Sequence, residues 1–237
     1  MTPAEARARA RRGDGDLLRE EILASAGHLL AETGDEDRVS IRAVCSAVGV
    51  TAPSIYMHFA DKDALIYAVC TGAFAAFDAV LEACDEQTDD PLVALSLRSH
   101  AYVRFGLENP EQYRILFMSK RSRSQEHTEE LGVGLEVFGH LVDAVRRVVD
   151  SGAFAPVDPV LAATGLWTAM HGMTSLLISM PAFPWPEVET LVDHVCGAHL
   201  RGLAHTVRAG SNPPRAAIDD LPSRHDRSRE LGHADPP

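Results

Sequence analysis

S-I-R-A-V-C-S-A-V-G-V-T-A-P-S-I-Y-M-H-F-A-D-K, residues Ser40 to Lys62, reads as two short helices joined by a tight turn. Ser40 is a good N-cap, because its hydroxyl can accept a bond from a free first-turn amide. Ile41, Val44, Cys45 and Val48 recur at helical spacing and mark the buried side of the first helix. Gly49 follows, the residue type that reaches a positive φ without strain and stops a helix. Thr51 is expected to cap the second helix, with Pro53 in its first turn, where a missing N–H costs little. Ile55 and Phe59, four apart, form its core side; Ser54, Tyr56, Met57 and His58 are left on its other faces. Short helix, glycine turn, short helix is a helix-turn-helix pattern, whose second member can lie in the major groove of DNA.

Working outward, Leu18, Ile22, Ala26, Leu29 and Leu30 predict an amphipathic helix from Leu17 to about Thr33, ended by Gly34. It completes a three-helix unit over 17–65. Residues 1–16 are rich in Ala, Arg and Gly and read as a flexible basic arm, with Arg7, Arg9, Arg11 and Arg12 available to a DNA backbone or minor groove. Beyond Asp61, itself a cap, Leu65 to about Cys84 carries one long apolar stripe. Further helices are predicted over Leu92–Leu107, Glu111 to about Met118, Leu131–Val149, Val160–Met180 and Glu187 to about Arg208. The expectation is an all-α chain of about nine helices, a head at 17–65 and a larger body at 66–209. The last residues, 210–237, are polar and proline-rich and read as a disordered tail.

The string from Val48 to Leu65, V-G-V-T-A-P-S-I-Y-M-H-F-A-D-K-D-A-L, resembles the DNA-binding domain of the TetR family of transcriptional regulators. W-T-A-M-H-G at Trp167–Gly172 is similar to a Trp-x-x-x-His-Gly signature of one class of TetR-family C-terminal domains. The resemblance implies a homodimeric regulator of double-stranded DNA, a repressor that leaves a near-palindromic operator when an effector enters the body. By the same resemblance Tyr56, His58 and Lys62 touch phosphates. Ser40 and Arg42 lie near the backbone, Arg42 reaching toward a base, and Thr51, Ala52, Pro53 and Ser54 face base edges. Ala52 departs from members with a long polar side chain there. Ala52 and Pro53 offer only apolar contact, so Arg42, Met57 and DNA shape share the reading.

The effector, a small apolar molecule, is expected in a cavity lined from Tyr102, Phe105, Tyr113, Phe117, Met118, Phe138, Trp167, Met170, His171 and Met173. Trp167 and His171, four apart, share a helix face. The helix over 160–180 is apolar on nearly every side, and a partner subunit is the simplest cover. Helices over about 160–180 and 187–208 would then form a two-fold four-helix interface, with Gly165, Gly172, Gly197 and Gly202 allowing close approach.

The net charge of −12 opposes DNA in bulk, but docking depends on charge at the contact surface, and Lys62 is one of only two lysines. Cys45, Cys70, Cys84 and Cys196 are scattered with no C-x-x-C pair, as in a reduced, cytoplasmic protein. No run of about eighteen consecutive apolar residues predicts a membrane span, and no apolar run behind the N-terminal arginines suggests a secretory signal. No phosphate loop, G-x-S-x-G elbow or H-E-x-x-H pair is present, so neither enzyme activity nor a cofactor or metal is expected. Cys196 and His199, three apart, lack a second pair at ligand spacing. Two alternatives stay open: a DNA-binding regulator without a small-molecule ligand, which a filled core would favour, and a helical metal-binding protein or enzyme.

Overall fold

The computed structural model describes residues 14–118 and 127–204. Among the described residues there are nine α-helices and no strands: α1 Asp14–Thr33, α2 Ile41–Val48, α3 Ala52–Tyr56, α4 Lys62–Glu82, α5 Pro91–Glu108, α6 Pro110–Phe117, α7 His127–Asp150, α8 Pro159–Ser179 and α9 Val188–Ala204. The all-α expectation holds. Apart from residues 14–16, the basic arm lies outside the described residues, as do the polar loop after Met118 and the tail at 210–237. Residues 205–208, assigned to the last helix, also fall outside.

Local chemistry sets the helix ends. Ser40 Oγ accepts from the Ala43 amide at 3.1 Å, and Gly49 sits at φ +76°, its amide bonding the Cys45 carbonyl at 2.9 Å. A Cβ on Gly49 would meet nothing within 4 Å, so the backbone angle alone selects glycine there. Asp61 Oδ1 accepts from the Ala64 amide at 2.7 Å to start α4. Asp90 and Asp158 cap α5 and α8 in the same way, each ahead of a first-turn proline. Thr51 holds the N-cap position of α3, but its side chain caps nothing; its hydroxyl pairs with the Ser54 hydroxyl at 3.2 Å. With Ala52–Tyr56 as a single short turn, the neighbouring hydroxyl is the nearer partner.

The core is one continuous cluster running from Ile22 to Leu200. Ile22, Ala26 and Leu30 of α1 are fully buried, as are Val44 of α2 and Ile55 of α3. α4 links the head to the body, touching α1, α5, α6 and α7. Its length and composition would suffice to cross a membrane, but its buried face packs against these neighbours, as a core helix does. Its first core residues, Leu65 and Ile66, belong with the head, so the predicted 65/66 boundary falls inside one helix. Two apolar residues at helical spacing are exposed: Val80 on α4, and Leu135 on α7 at the border of a cavity. Cys70 and Phe74 of α4 are also in the core.

Close approach is enforced at two glycines. A Cβ on Gly106 of α5 would lie 2.4 Å from Thr174 Cγ2 and 2.9 Å from Tyr113 Cδ2. One on Gly165 of α8 would lie 2.7 Å from His199 Cε1 of α9. The Gly165 seam therefore joins two helices of the same protomer. Gly172 and Gly202 face open space.

Candidate nucleic-acid interface and effector cavity

The head presents a polar and semi-apolar edge built from α2, α3 and the start of α4. Ile55 is fully buried and Phe59 5% exposed, which fixes α3 against the head's core and turns its other faces outward. Tyr56 is 51% exposed and Met57 84%. Ser40, Arg42, Thr51 and Pro53 are exposed; Ala52, Ser54, His58 and Lys62 are half-buried. All ten residues proposed from sequence thus lie on or at the margin of accessible surface. Lys62 Nζ donates to the Glu36 carbonyl at 3.1 Å, tying α4 to the loop between α1 and α2. An ammonium has three donors, so this bond leaves capacity for a phosphate oxygen.

The body contains a cavity of about 390 Å³ between α4, α5, α6, α7 and α8. Such a volume lies within the range of small-molecule sites. Of the residues expected there, Tyr102, Phe117, Phe138, Trp167 and Met170 line it. Phe105 does not: it is buried edge-on against Phe77, with ring centroids 5.1 Å apart. Tyr113 and His171 also stand outside the lining, packed against Phe117 at 4.9 and 5.3 Å. Met118 is exposed at the end of α6, and Met173 is buried in the core.

Tyr113 and His171 form a polar pair within that apolar setting, the tyrosine hydroxyl lying 2.8 Å from His171 Nδ1. Tyr102 Oη lies 3.3 Å from Tyr113 Oη. Burial lowers the His171 pKa and raises those of both tyrosines, so all three favour their neutral forms. His171 is thereby a half-buried histidine whose Nδ1 is satisfied by Tyr113.

Sequence reasoning missed the α4 wall of the cavity, Phe74, Phe77 and Leu81, and also Arg98 of α5. Arg98 is 2% exposed and bonds both Glu82 and Asp85, its Nη2 lying 3.1 Å from Asp85 Oδ2. Burial works against its charge, but the hydrogen bonds it donates to Asp85 and Glu82 prevail and raise its pKa. Asp85 answers in the opposite direction. Burial pushes its carboxyl up, yet Arg98 and Arg147 together hold it below the usual range. The signal for Arg98 was its spacing: it stands four residues before Tyr102, inside an otherwise apolar stripe.

Asp78 and Glu82 of α4 and His140 of α7 bring three potential metal-ligand atoms within 4.8 Å of one another. His140 Nδ1 lies 3.0 Å from both Asp78 oxygens, and Glu82 is engaged by Arg98. Ion pairing accounts for the grouping.

Residues 22–69 match the family described as bacterial regulatory proteins of the tetR family, and residues 95–199 match the tetracyclin repressor-like C-terminal domain. The uncharacterized HTH-type transcriptional regulator YobS of Bacillus subtilis (strain 168) is 26% identical over 171 residues, covering 72% of this chain and 84% of its own. The TetR-family regulator PfmR of Thermus thermophilus superposes with a TM-score of 0.63 at 26% identity, covering 77% of this chain and 98% of PfmR. A Rhodococcus sp. RHA1 protein of unknown function shares the fold with a TM-score of 0.69 at 23% identity, covering 85% of this chain and 100% of that one. With a helix-turn-helix head and a regulator's C-terminal body both matched, the chain belongs to the TetR family of DNA-binding transcriptional regulators, which are not enzymes.

Proposed function

We propose that the protein is a homodimeric repressor that binds a near-palindromic operator and leaves it when a small apolar molecule occupies the cavity. α3 enters the major groove, with Thr51, Ala52, Pro53, Ser54 and Met57 toward base edges and Arg42 reaching in from α2. Ser40, Tyr56, His58 and Lys62 hold the phosphates. Charge-assisted bonds suit the lysine, and a phenol and imidazole add donors near a helix end. The two subunits pair through α8 and α9, whose uncovered surface includes Leu161 and Leu176 on α8 and Met180 just past its end. Paired heads then meet half-sites one helical turn apart. Trp167, which lines the cavity, and His171 beside it carry the Trp-x-x-x-His-Gly likeness.

The observation that carries the reading is the double engagement of α4. Leu65 and Ile66 near its start are buried in the core shared with the head, while Phe74, Phe77 and Leu81 near its end line the cavity. An effector that prefers a different setting of the cavity wall therefore acts on the helix that carries the head. It shifts the equilibrium only by its differential affinity for the two settings. The cavity itself favours this reading over a regulator with no small-molecule ligand.

A gel-shift assay with DNA from upstream of the gene tests the proposal. A sequence-dependent shift at low salt, reversed by a cavity ligand, is expected. Equal binding to operator and scrambled DNA refutes the specific-repressor reading.

A further inference from the structure

We propose that the cavity selects uncharged molecules, an alkyl or aryl body with one hydrogen-bonding end, over carboxylates and amines of the same size. The selectivity is set by Glu82 and Asp85 acting on Arg98. The inference rests on the cavity being the effector site and adds the chemical class it accepts.

Of the described residues that line the cavity, Arg98 alone carries a charge. An unpaired arginine in an aromatic pocket would recruit a carboxylate through a bidentate contact. Here the guanidinium is already occupied, bonding Glu82 with Nη2 and Asp85 with both Nε and Nη2. Asp85 also receives Arg147, so two guanidiniums and two carboxylates balance in one network. A carboxylate approaching Arg98 meets two anions already in place and sheds its own hydration without a free cation to replace it. An ammonium meets Arg98 itself. The polar groups at the wall that suit a neutral ligand are hydroxyls: that of Tyr102, which burial keeps protonated and which shares a weak bond with Tyr113, and that of Thr164, which donates to the Val160 carbonyl and keeps its oxygen free to accept. A hydroxyl or carbonyl oxygen needs no more than such a partner. The rest of the wall is mostly aromatic and aliphatic, including Phe74, Phe77, Phe117 and Trp167, which suits an uncharged body.

Trp167 and Trp185 are the two tryptophans of the chain. In the full-length Trp185→Phe protein, Trp167 alone reports on the cavity. Decanol, decanoate and decylammonium, each below its aggregation limit at neutral pH, are titrated against its emission. Decanol is expected to bind at least about tenfold more tightly than either ion, a gap of about 1.4 kcal/mol. Glu82→Gln, or Asp85→Asn as a second variant, unmasks Arg98 and should tighten decanoate about tenfold with decanol unchanged. Decanoate binding as well as decanol to the unaltered cavity, or neither variant favouring decanoate, overturns the inference alone. If none of the three ligands moves the emission, the cavity is no ligand site and both readings fall. If decanol binds with the stated preference yet leaves the operator complex intact, the selectivity stands and the effector reading falls.

Discussion

Replacing Gly106 by alanine should destabilise the protein, although alanine is the better helix former by about 1 kcal/mol. The added Cβ would lie 2.4 Å from Thr174 Cγ2 and 2.9 Å from Tyr113 Cδ2. Neither neighbour has a ready escape. Thr174 is fully buried, β-branched, and held by its hydroxyl bond to the Met170 carbonyl at 2.8 Å. Tyr113 is fully buried and paired with His171. Overpacking costs about 1–3 kcal/mol, and an approach of 2.4 Å to a fixed neighbour belongs in the upper part of that range, about 2–3 kcal/mol, so after the helix gain a net loss of about 1–2 kcal/mol is expected. Thr174→Ser removes the nearer methyl while keeping the hydroxyl, at a cost of about 1 kcal/mol for the lost burial. The double variant should therefore be more stable than the sum of the singles by at least about 0.5 kcal/mol, the signature of two sites in contact. Urea unfolding at one fixed protein concentration reads all four species. Gly72→Ala on α4 is the control, since a Cβ there meets nothing within 4 Å, and it should not lose stability. A Gly106→Ala protein as stable as the parent, or strict additivity with Thr174→Ser, would refute the packing argument.

Other consequences are open to measurement. Tyr56→Ala should weaken binding to operator and non-operator DNA alike and leave thermal stability and dimerisation intact, because the ring is half exposed; a monomeric product would contradict the separation of head and interface. The hydrogen bond with Asp78 raises the His140 pKa against the opposing effect of burial, with the charges of Asp78, Glu82 and Glu136 adding to the rise. Its contribution to stability is then fully present below about pH 6.5 and lost as pH rises through the higher folded value, so His140→Gln should flatten that limb of the stability profile; an unchanged profile counts against it. Burial pushes the Cys196 thiol up to about 11 and raises Cys84, while Cys70 is 1% exposed. A water-soluble disulfide reagent should modify half-buried Cys45 first, and fast reaction at Cys196 in the folded state would refute that ordering.

The head was legible because its determinants are local. Ser40, Gly49 and Asp61 act within three or four residues of themselves, and each does what its chemistry predicts. Thr51 is the exception, since two hydroxyls three residues apart compete and sequence does not say which pairing wins. The cavity was half legible. Tyr102 and Phe105 are both aromatic and three apart on α5, and periodicity cannot say which faces a void and which a neighbour. The answer depends on where α7 and α8 pack, which places the space on the Arg98–Tyr102 side. Leu135 belongs to the α7 stripe by spacing but is 58% exposed, because it borders the cavity and has no packed neighbour filling that side. Gly165 was assigned to a seam between helices, and one exists, but within a protomer, against His199.

α4 has 21 residues, which at about 1.5 Å each makes a rod roughly 30 Å long. Lys62 stands at one tip and Glu82 at the other. A tilt of about 5° pivoting on the Glu82 tip sweeps the Lys62 tip through roughly 2.6 Å over that length. Two heads swinging oppositely about a two-fold axis would change their separation by up to about twice that distance, more than the roughly 3.4 Å rise between successive base pairs. On the proposed reading, wedging a side chain aside by a fraction of an ångström at one end would be magnified into a mismatch of groove spacing at the other.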